Sequence, residues 1–311
     1  MSLKAVKNKI KSIDKTRQVT KAMESVSAVK MRKSQASAIG VRPYALSAFK
    51  ILRSISGSID ATNHPLTLSR PVKHTLLIII SGDKGLAGSY GSTLLKQTYR
   101  FMAEKSLTIE NTSLICIGKK GYEHFNKRGW NIIANYEKWS DAIDFSKVED
   151  LANNAKDQFL SGSADQVFIV YTNFVSTINQ IVYARQLLPV TYAGVEEAVR
   201  GITPEKGKFS EIGRDIDATD PVREYTYEPG AEQVLSELIP TLFNIQIYHS
   251  VLESNASEHS ARMIAMKNAS DNAKEISRSL NLYFNKVRQS AITREVSEIV
   301  GGMESMKVVD A

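Results

Sequence analysis

The stretch whose residue types could hold a phosphate is Ser81-Gly82-Asp83-Lys84-Gly85-Leu86-Ala87-Gly88-Ser89-Tyr90-Gly91, a glycine-rich run behind an apolar segment and ahead of a helical pattern. At such a place the free N–H groups of a helix N-terminus can hold an anion. The run fits neither G-x-x-x-x-G-K-[ST] nor G-x-G-x-x-G, and no acidic residue follows at a ribose-binding distance. It reads as a tight strand-to-helix turn with a close-packed backbone rather than as a nucleotide site. The histidines, His64, His74, His124, His249 and His259, include no pair at metal-ligand spacing. His259 falls on an apolar helical stripe, where a polar residue sets register more often than it binds metal. Cys116, the single cysteine, sits in Leu114–Ile117 and reads as a buried, inert thiol in a chain suited to a reducing compartment. Glu253, Glu258 and Asp271 are spread along one helical segment. No G-x-S-x-G and no nucleophile with an evident base is present. The expectation is a chain without catalytic residues, metal or cofactor.

What must position these residues is an α/β domain. The uninterrupted apolar run at 74–80, bounded by Pro71 and Gly82, is that of a strand buried on both faces. Helical residues 91–105, strand 113–117, helix 119–128, strand 131–136, helix 146–160, strand 166–172 and strand 178–187 follow. The alternation predicts a mostly parallel, Rossmann-like sheet with helices packed on it. Residues 203–224, with Thr203, Pro204, Gly207, Gly213 and Pro221, read as a long loop.

The two ends differ from this. Leu3, Val6, Ile10 and Ile13 recur at steps of three and four, Thr20, Met23 and Val26 continue the stripe, and no Gly or Pro precedes Gly40. Between Thr241 and Val300 there is again no Gly or Pro, a length of about 90 Å if helical. A helix that long needs a partner to bury its stripe. The apolar positions Leu252, Ala256, His259, Met263, Met266, Ala269, Ala273, Ile276, Leu280, Tyr283 and Val287 predict the seam, with a short step at 266–269 that would overwind a supercoil. The ends, at about residues 3–53 and 230–306, therefore predict an antiparallel coiled coil enclosing the α/β domain. The expected organisation is 1–55 for the N-terminal helix, 70–200 for the α/β domain, 201–229 for a loop and foot, and 230–311 for the C-terminal helix.

Charge singles out the first helix. Residues 4–33 hold ten basic residues against Asp14 and Glu24, more than the whole chain's net +7. A basic helix suits an acidic partner, whether nucleic acid, anionic lipid or an acidic protein surface. No aromatic residue precedes Tyr44 and no nucleic-acid-binding motif accompanies the lysines, so charge leaves those partners open beside a simply solvated face. The longest apolar run, Leu76–Ile80, is far short of the ~20 residues of a membrane span. No secretory signal or convincing transit peptide opens the sequence.

Two runs carry a family resemblance. Lys9-Ile10-Lys11-Ser12-Ile13-Asp14-Lys15-Thr16-Arg17-Gln18-Val19-Thr20-Lys21-Ala22-Met23-Glu24, with Val26 to Lys33, resembles the gamma subunit of F-type ATP synthases, as does the run from Glu253 to Gly301. The loop SGDKGLAG is similar to that family's S-T-D-R-G-L-C-G, departing from it at Gly82, Lys84 and Ala87. The resemblance covers essentially the whole chain and is weakest at 55–70 and 200–224. It implies a non-catalytic central-stalk rotor, one copy per complex. Its coil would thread the hexamer of alpha and beta subunits, and its α/β domain would face the epsilon subunit and the membrane rotor ring. Proton or sodium flow would thereby be coupled to ATP synthesis or hydrolysis, with no nucleic acid as partner. By the same resemblance, Lys9, Ser12, Met23, Lys30, Arg288, Gln289 and Thr293 contact beta subunits. Tyr225 and Glu228 form a foot on the ring, and Val296, Ile299, Val300, Met303 and Met306 form a tip turning in a hydrophobic sleeve. The expected location is peripheral, on the cytoplasmic face of a bacterial plasma membrane, with an organellar inner membrane left open. The alternative is a basic coiled-coil adaptor binding nucleic acid or nucleotide.

Overall fold

The computed structural model describes residues 3–56, 64–140, 143–191, 227–228 and 230–309. The expected loop at 203–224 and Tyr225 lie outside them. The described elements are, in order, α1 (Leu3–Ser56), β1 (Thr75–Ile80), α2 (Tyr90–Glu104), β2 (Thr112–Ile117), α3 (Lys119–Asn126), β3 (Asn131–Tyr136), α4 (Phe145–Leu160), β4 (Gln166–Phe174), β5 (Gln180–Leu188) and α5 (Ala231–Val309). The chain forms two compact units, residues 27–262 and residues 1–26 with 263–311.

In the 27–262 unit the sheet order is β3-β2-β1-β4-β5. β1, β2, β3 and β4 pair in parallel, and β5 runs antiparallel to β4 through the turn at 175–179. β1 lies at the centre with every side chain buried, which is why its sequence is apolar without alternation. Successive residues serve opposite faces. Leu76, Ile78, Ile80, Ile115, Ile117, Val167 and Ile169 pack against α4, the C-terminal part of α1 and the first turns of α5. Leu77, Ile79, Leu114, Cys116, Phe168 and Val170 pack against α2 and α3. The edge strand β3 is only partly buried, as its mixed sequence requires. Pro43 and Pro240 lie inside α1 and α5 without ending either helix.

One polar cluster ties the entry of β1 to the entry of β4. The Asp165 carboxylate accepts the Lys73 and His74 amides at 2.8 and 3.0 Å and pairs with Arg70 at 3.0 Å. Arg70 also donates to the Phe159 and Ala164 carbonyls and stacks on the Phe159 ring.

The second unit is an antiparallel helix pair. Ser277 Oγ donates to Asp14 at 2.9 Å, while Ser270 faces Arg17 to Ser25, so numbers rise along one helix as they fall along the other. The buried seam on α5 is not the predicted one. Ile276 and Tyr283 are 49% and 45% exposed, whereas Ser277 is 8% exposed and Phe284 is half-buried. The seam runs Met266, Ser270, Ala273, Ser277, Leu280, Phe284 and Val287, alternating steps of four and three. Passing through Ser270 removes the short step that the choice of Ala269 had created. On α1, Val6 and Thr20 are buried and Val26 is exposed. At Thr20 and Ser277 the pair buries a small polar residue while the larger apolar neighbours Val19 and Ile276 stay exposed.

Burial alone would raise the Asp165 carboxyl, but the two amides and Arg70 more than offset it and hold it below the usual range. A carboxyl depressed on folding contributes stability above its unfolded pKa and loses it as pH falls through the folded value. Asp165→Asn is expected to cost about 1.5–3 kcal/mol at neutral pH. The difference in Tm from the parent chain should shrink as the pH is lowered through the acid range.

Candidate functional site

In an open α/β sheet the ligand crevice lies beyond the C-terminal ends of the strands, where the strand order reverses. Here that point is between β1 and β4, because β1 is followed by its neighbour on one side and β4 lies on the other. The crevice is filled by α5. All residues from His249 to Ser260 are buried, the polar ones included. Ser254 Oγ accepts the Thr172 amide at 3.0 Å and Ser257 Oγ donates to the Thr172 carbonyl at 3.1 Å. Glu253 accepts the Phe174 amide at 2.9 Å, and Ser260 donates to the Thr177 carbonyl at 2.8 Å. Asn255 donates to the Trp139 carbonyl at 2.7 Å, beyond the end of β3.

His259 belongs to this set and not to the coil seam where its spacing had placed it. Its Nε2 lies 2.7 Å from the Ser140 carbonyl, which can only accept, so Nε2 carries the proton and Nδ1 accepts from Arg262 at 3.3 Å. Arg262 reaches the Lys84 and Gly85 carbonyls, each at 3.2 Å, and pairs with Glu258 one helical turn away. Burial pushes the Glu258 carboxyl up; Arg262 and Lys30 pull it down and Asp83 adds to the rise.

The glycine-rich loop is the close-packed turn that was expected. A Cβ on Gly82 would lie 2.9 Å from the Glu258 carboxyl carbon. Ser81 Oγ donates to the Ile117 and Gly118 carbonyls and accepts the Gly121 amide, fastening the loop to the start of α3. Gly118 adopts φ +91°, and any side chain there would strike the Ser81 carbonyl. An open groove beside the loop has Lys84, Lys120, Lys127 and Arg128 on its wall, but Lys120 already pairs with Glu123 at 3.0 Å. Among the described residues no group of three or more His, Cys, Asp or Glu could hold a metal.

Of the described residues expected to meet partners, Lys30 is the one that acts on a crevice residue. Lys9 and Ser12 are exposed on α1, and Met23 is half-buried. Lys30, half-buried in the 27–262 unit, faces Glu258 electrostatically. Arg288, Gln289 and Thr293 are exposed on α5, and the Thr293 hydroxyl is engaged by the Gln289 carbonyl of its own helix at 3.0 Å. Val296, Ile299, Val300 and Met303 are exposed; the Met306 side chain lies outside the description. The Asp14–Ser277 register sets Leu3 opposite residue 288, so the last turns of α5 extend past the start of α1. Glu228 is exposed in a bend before α5. Sequence reasoning overlooked Ser254, Asn255, Ser257, Ser260 and Arg262. Their signal was a helical stretch too polar on every face to be a coil seam alone.

Arg262→Ala is expected to destabilise the chain by about 3–5 kcal/mol, because it strands a buried carboxylate. Since the Glu258 carboxyl then rises further, that penalty should shrink as the pH is lowered and the group is protonated. The double variant Arg262→Met/Glu258→Met should recover most of the loss, and urea unfolding at two pH values reads all three effects. With the crevice filled, calorimetry of the chain with ATP, ADP or NAD is expected to show no binding.

The sequence profile of the family described as ATP synthase matches residues 2–306. The ATP synthase gamma chain of a Chlorobium phaeobacteroides strain is 38% identical over 310 residues, covering 98% of this chain and 99% of that one. The gamma chains of Chlorobaculum tepidum and Chloroherpeton thalassium are 37% and 34% identical, each over 98% of this chain and over 99% and 98% of their own. Among solved structures, one chain of the Euglena gracilis mitochondrial ATP synthase superposes with a TM-score of 0.61 at 16% identity, over 98% of this chain and 94% of that one. A chain from the central stalk and c-ring of the Tetrahymena thermophila enzyme gives 0.56 at 22% identity, over 81% and 99%. At those identities the structural likeness speaks for the fold alone. The profile match and the end-to-end relatives decide the assignment: the chain belongs to the ATP synthase gamma chain family.

Proposed function

We propose that this chain is the central-stalk rotor subunit of an F-type ATP synthase, a non-catalytic part that transmits torque between an ion-driven membrane ring and a catalytic hexamer of alpha and beta subunits. The observation that carries the reading, beyond family membership, is the antiparallel helix pair whose α5 runs on past the start of α1. A single copy of such a pair is asymmetric. Three chemically identical catalytic sites around it meet different surfaces, and only differential contact can shift their equilibria apart.

Within that reading the basic face of α1 meets acidic loops of the beta subunits. Lys9, Ser12, Met23, Lys30, Arg288, Gln289 and Thr293 are the contacts we assign to them. Arginine suits Arg288's role because its planar fork holds a carboxylate through two parallel bonds. Met23 suits a surface that changes partner, since its side chain adapts to different shapes. Val296, Ile299, Val300, Met303 and Met306 turn in an apolar sleeve, which accounts for apolar side chains at a helix end that would otherwise promote aggregation. The α/β domain faces epsilon, and Tyr225 and Glu228 face the ring. No helix among the described residues is long and apolar enough to cross a membrane; in this reading attachment runs through the ring. The bacterial relatives favour the cytoplasmic face of the plasma membrane.

Reconstitution tests the reading. Alpha and beta subunits assembled with this chain should show a steady ATPase activity well above that of the hexamer alone, and no gain would count decisively against a rotor. Truncation after residue 290 should weaken torque and complex stability before it abolishes ATPase. Undiminished ion-coupled synthesis after removal of all of α5 would sink the shaft reading.

A further inference from the structure

A shaft that carries torque into an α/β domain must not turn about its own axis inside it. Apolar packing resists this poorly, because the hydrophobic effect is non-directional and a helix can slide against an apolar wall at little cost. Directional contacts resist it well. The side chains of α5 inside the crevice supply them on all sides. At about 100° per residue, Glu253, Ser254, Asn255, Ser257, Glu258, His259, Ser260 and Arg262 leave no gap wider than about 100° around the helix.

Apart from Glu258, which pairs with Arg262 of the same helix, they bond to main-chain groups of three separate segments. Lys84 and Gly85 follow β1, Trp139 and Ser140 follow β3, and Thr172, Phe174 and Thr177 belong to β4 and its turn. Gly82 packs directly on the Glu258 carboxyl, so the loop after β1 is also held sterically. Side-chain tips lie about 5–6 Å from a helix axis. A slip of about 20° would move them about 2 Å, beyond what a hydrogen bond tolerates. Because the bonds point in every direction, rotation either way stretches all of them together.

We propose that residues 253–262 of α5 form a torsional key, a ring of polar side chains that locks the C-terminal helix in rotation to the α/β domain, with Arg262 as its principal positioning residue. The assignment rests on the rotor reading and adds to it the place where load passes between helix and domain. Arg262 stands out because one guanidinium joins two carbonyls of the loop after β1, the Glu258 carboxylate and the His259 ring.

The test uses complete ATP synthase complexes carrying the parent chain, Ser254→Ala/Ser257→Ala/Ser260→Ala, or Arg262→Lys. The serine variant removes directional bonds with little change in volume; Arg262→Lys keeps the charge beside Glu258 and loses the fork. A probe fixed to the α/β domain reports angular fluctuation in single complexes whose hexamer is held by nucleotide. Vesicles report protons pumped per ATP hydrolysed. The serine variant is expected to widen the angular variance about twofold, since directional bonds are what resist the slip. Pumping per ATP should fall, and Arg262→Lys should lie between it and the parent. Loss of thermal stability with parental variance and pumping would mean that the ring only holds the fold, and would overturn the proposal. If the serine variant fails to assemble, Arg262→Lys decides by the same two readouts. A parent complex that does not rotate would instead defeat the rotor reading itself.

Discussion

Between His249 and Ser260 every residue of α5 is buried, and a helix enclosed on all sides must find an internal partner for each polar group it carries. The sheet has the complementary problem. Where parallel strands end, their last amides and carbonyls point into a crevice that, in related architectures, water or a ligand would satisfy. α5 resolves both at once, Glu253 and its serines, asparagine, histidine and arginine taking the place of a ligand for Thr172, Phe174, Trp139, Ser140 and the glycine-rich loop. The polar burial costs desolvation that an apolar helix would not incur. In exchange it defines one position and one rotation of the helix in the domain, where apolar packing would accept several.

The helix pair is governed by a different constraint. Its seam passes through Thr20, Ser270, Ala273 and Ser277 as well as Met266, Leu280 and Phe284, so small residues alternate with large ones along it. Two of the hydroxyls are bonded within the pair, Thr20 to the Thr16 and Arg17 carbonyls of its own helix and Ser277 across to Asp14. A seam of this kind gains less from burial than one of leucines. Val19, Ile276, Leu282 and Tyr283 lie outside the seam, on a surface that is more apolar than an isolated pair requires.

Much of this was legible in the residues. Every strand and helix of the sheet domain lies within two residues of its expected ends, because Leu76–Ile80 and its neighbours alternate apolar runs with turn residues too clearly to mistake. The antiparallel pairing followed from the length of the two end helices and from their lying on either side of the α/β domain in the sequence. The register did not: an apolar criterion chooses Ile276 over Ser277, and counting on from Ile276 by the same steps carries the stripe to Tyr283 rather than Phe284. The crevice was the larger omission. Polar residues at 253–262 look like a solvated face until the tertiary fold wraps the helix, and what they bond to lies roughly eighty to one hundred and eighty positions away in sequence. His259 was noticed for its polarity but assigned to the wrong neighbour for the same reason.

The helix pair has a final geometric consequence. Two helices side by side have an oval cross-section, and one of them carries the chain's positive excess while the other does not. The outline looks alike after half a turn, yet the charge does not repeat until the turn is complete. Anything encircling the pair with threefold symmetry is therefore met by a body with no matching symmetry of its own. At each orientation the three positions are told apart, and the order in which they are visited is fixed by the sense of rotation alone.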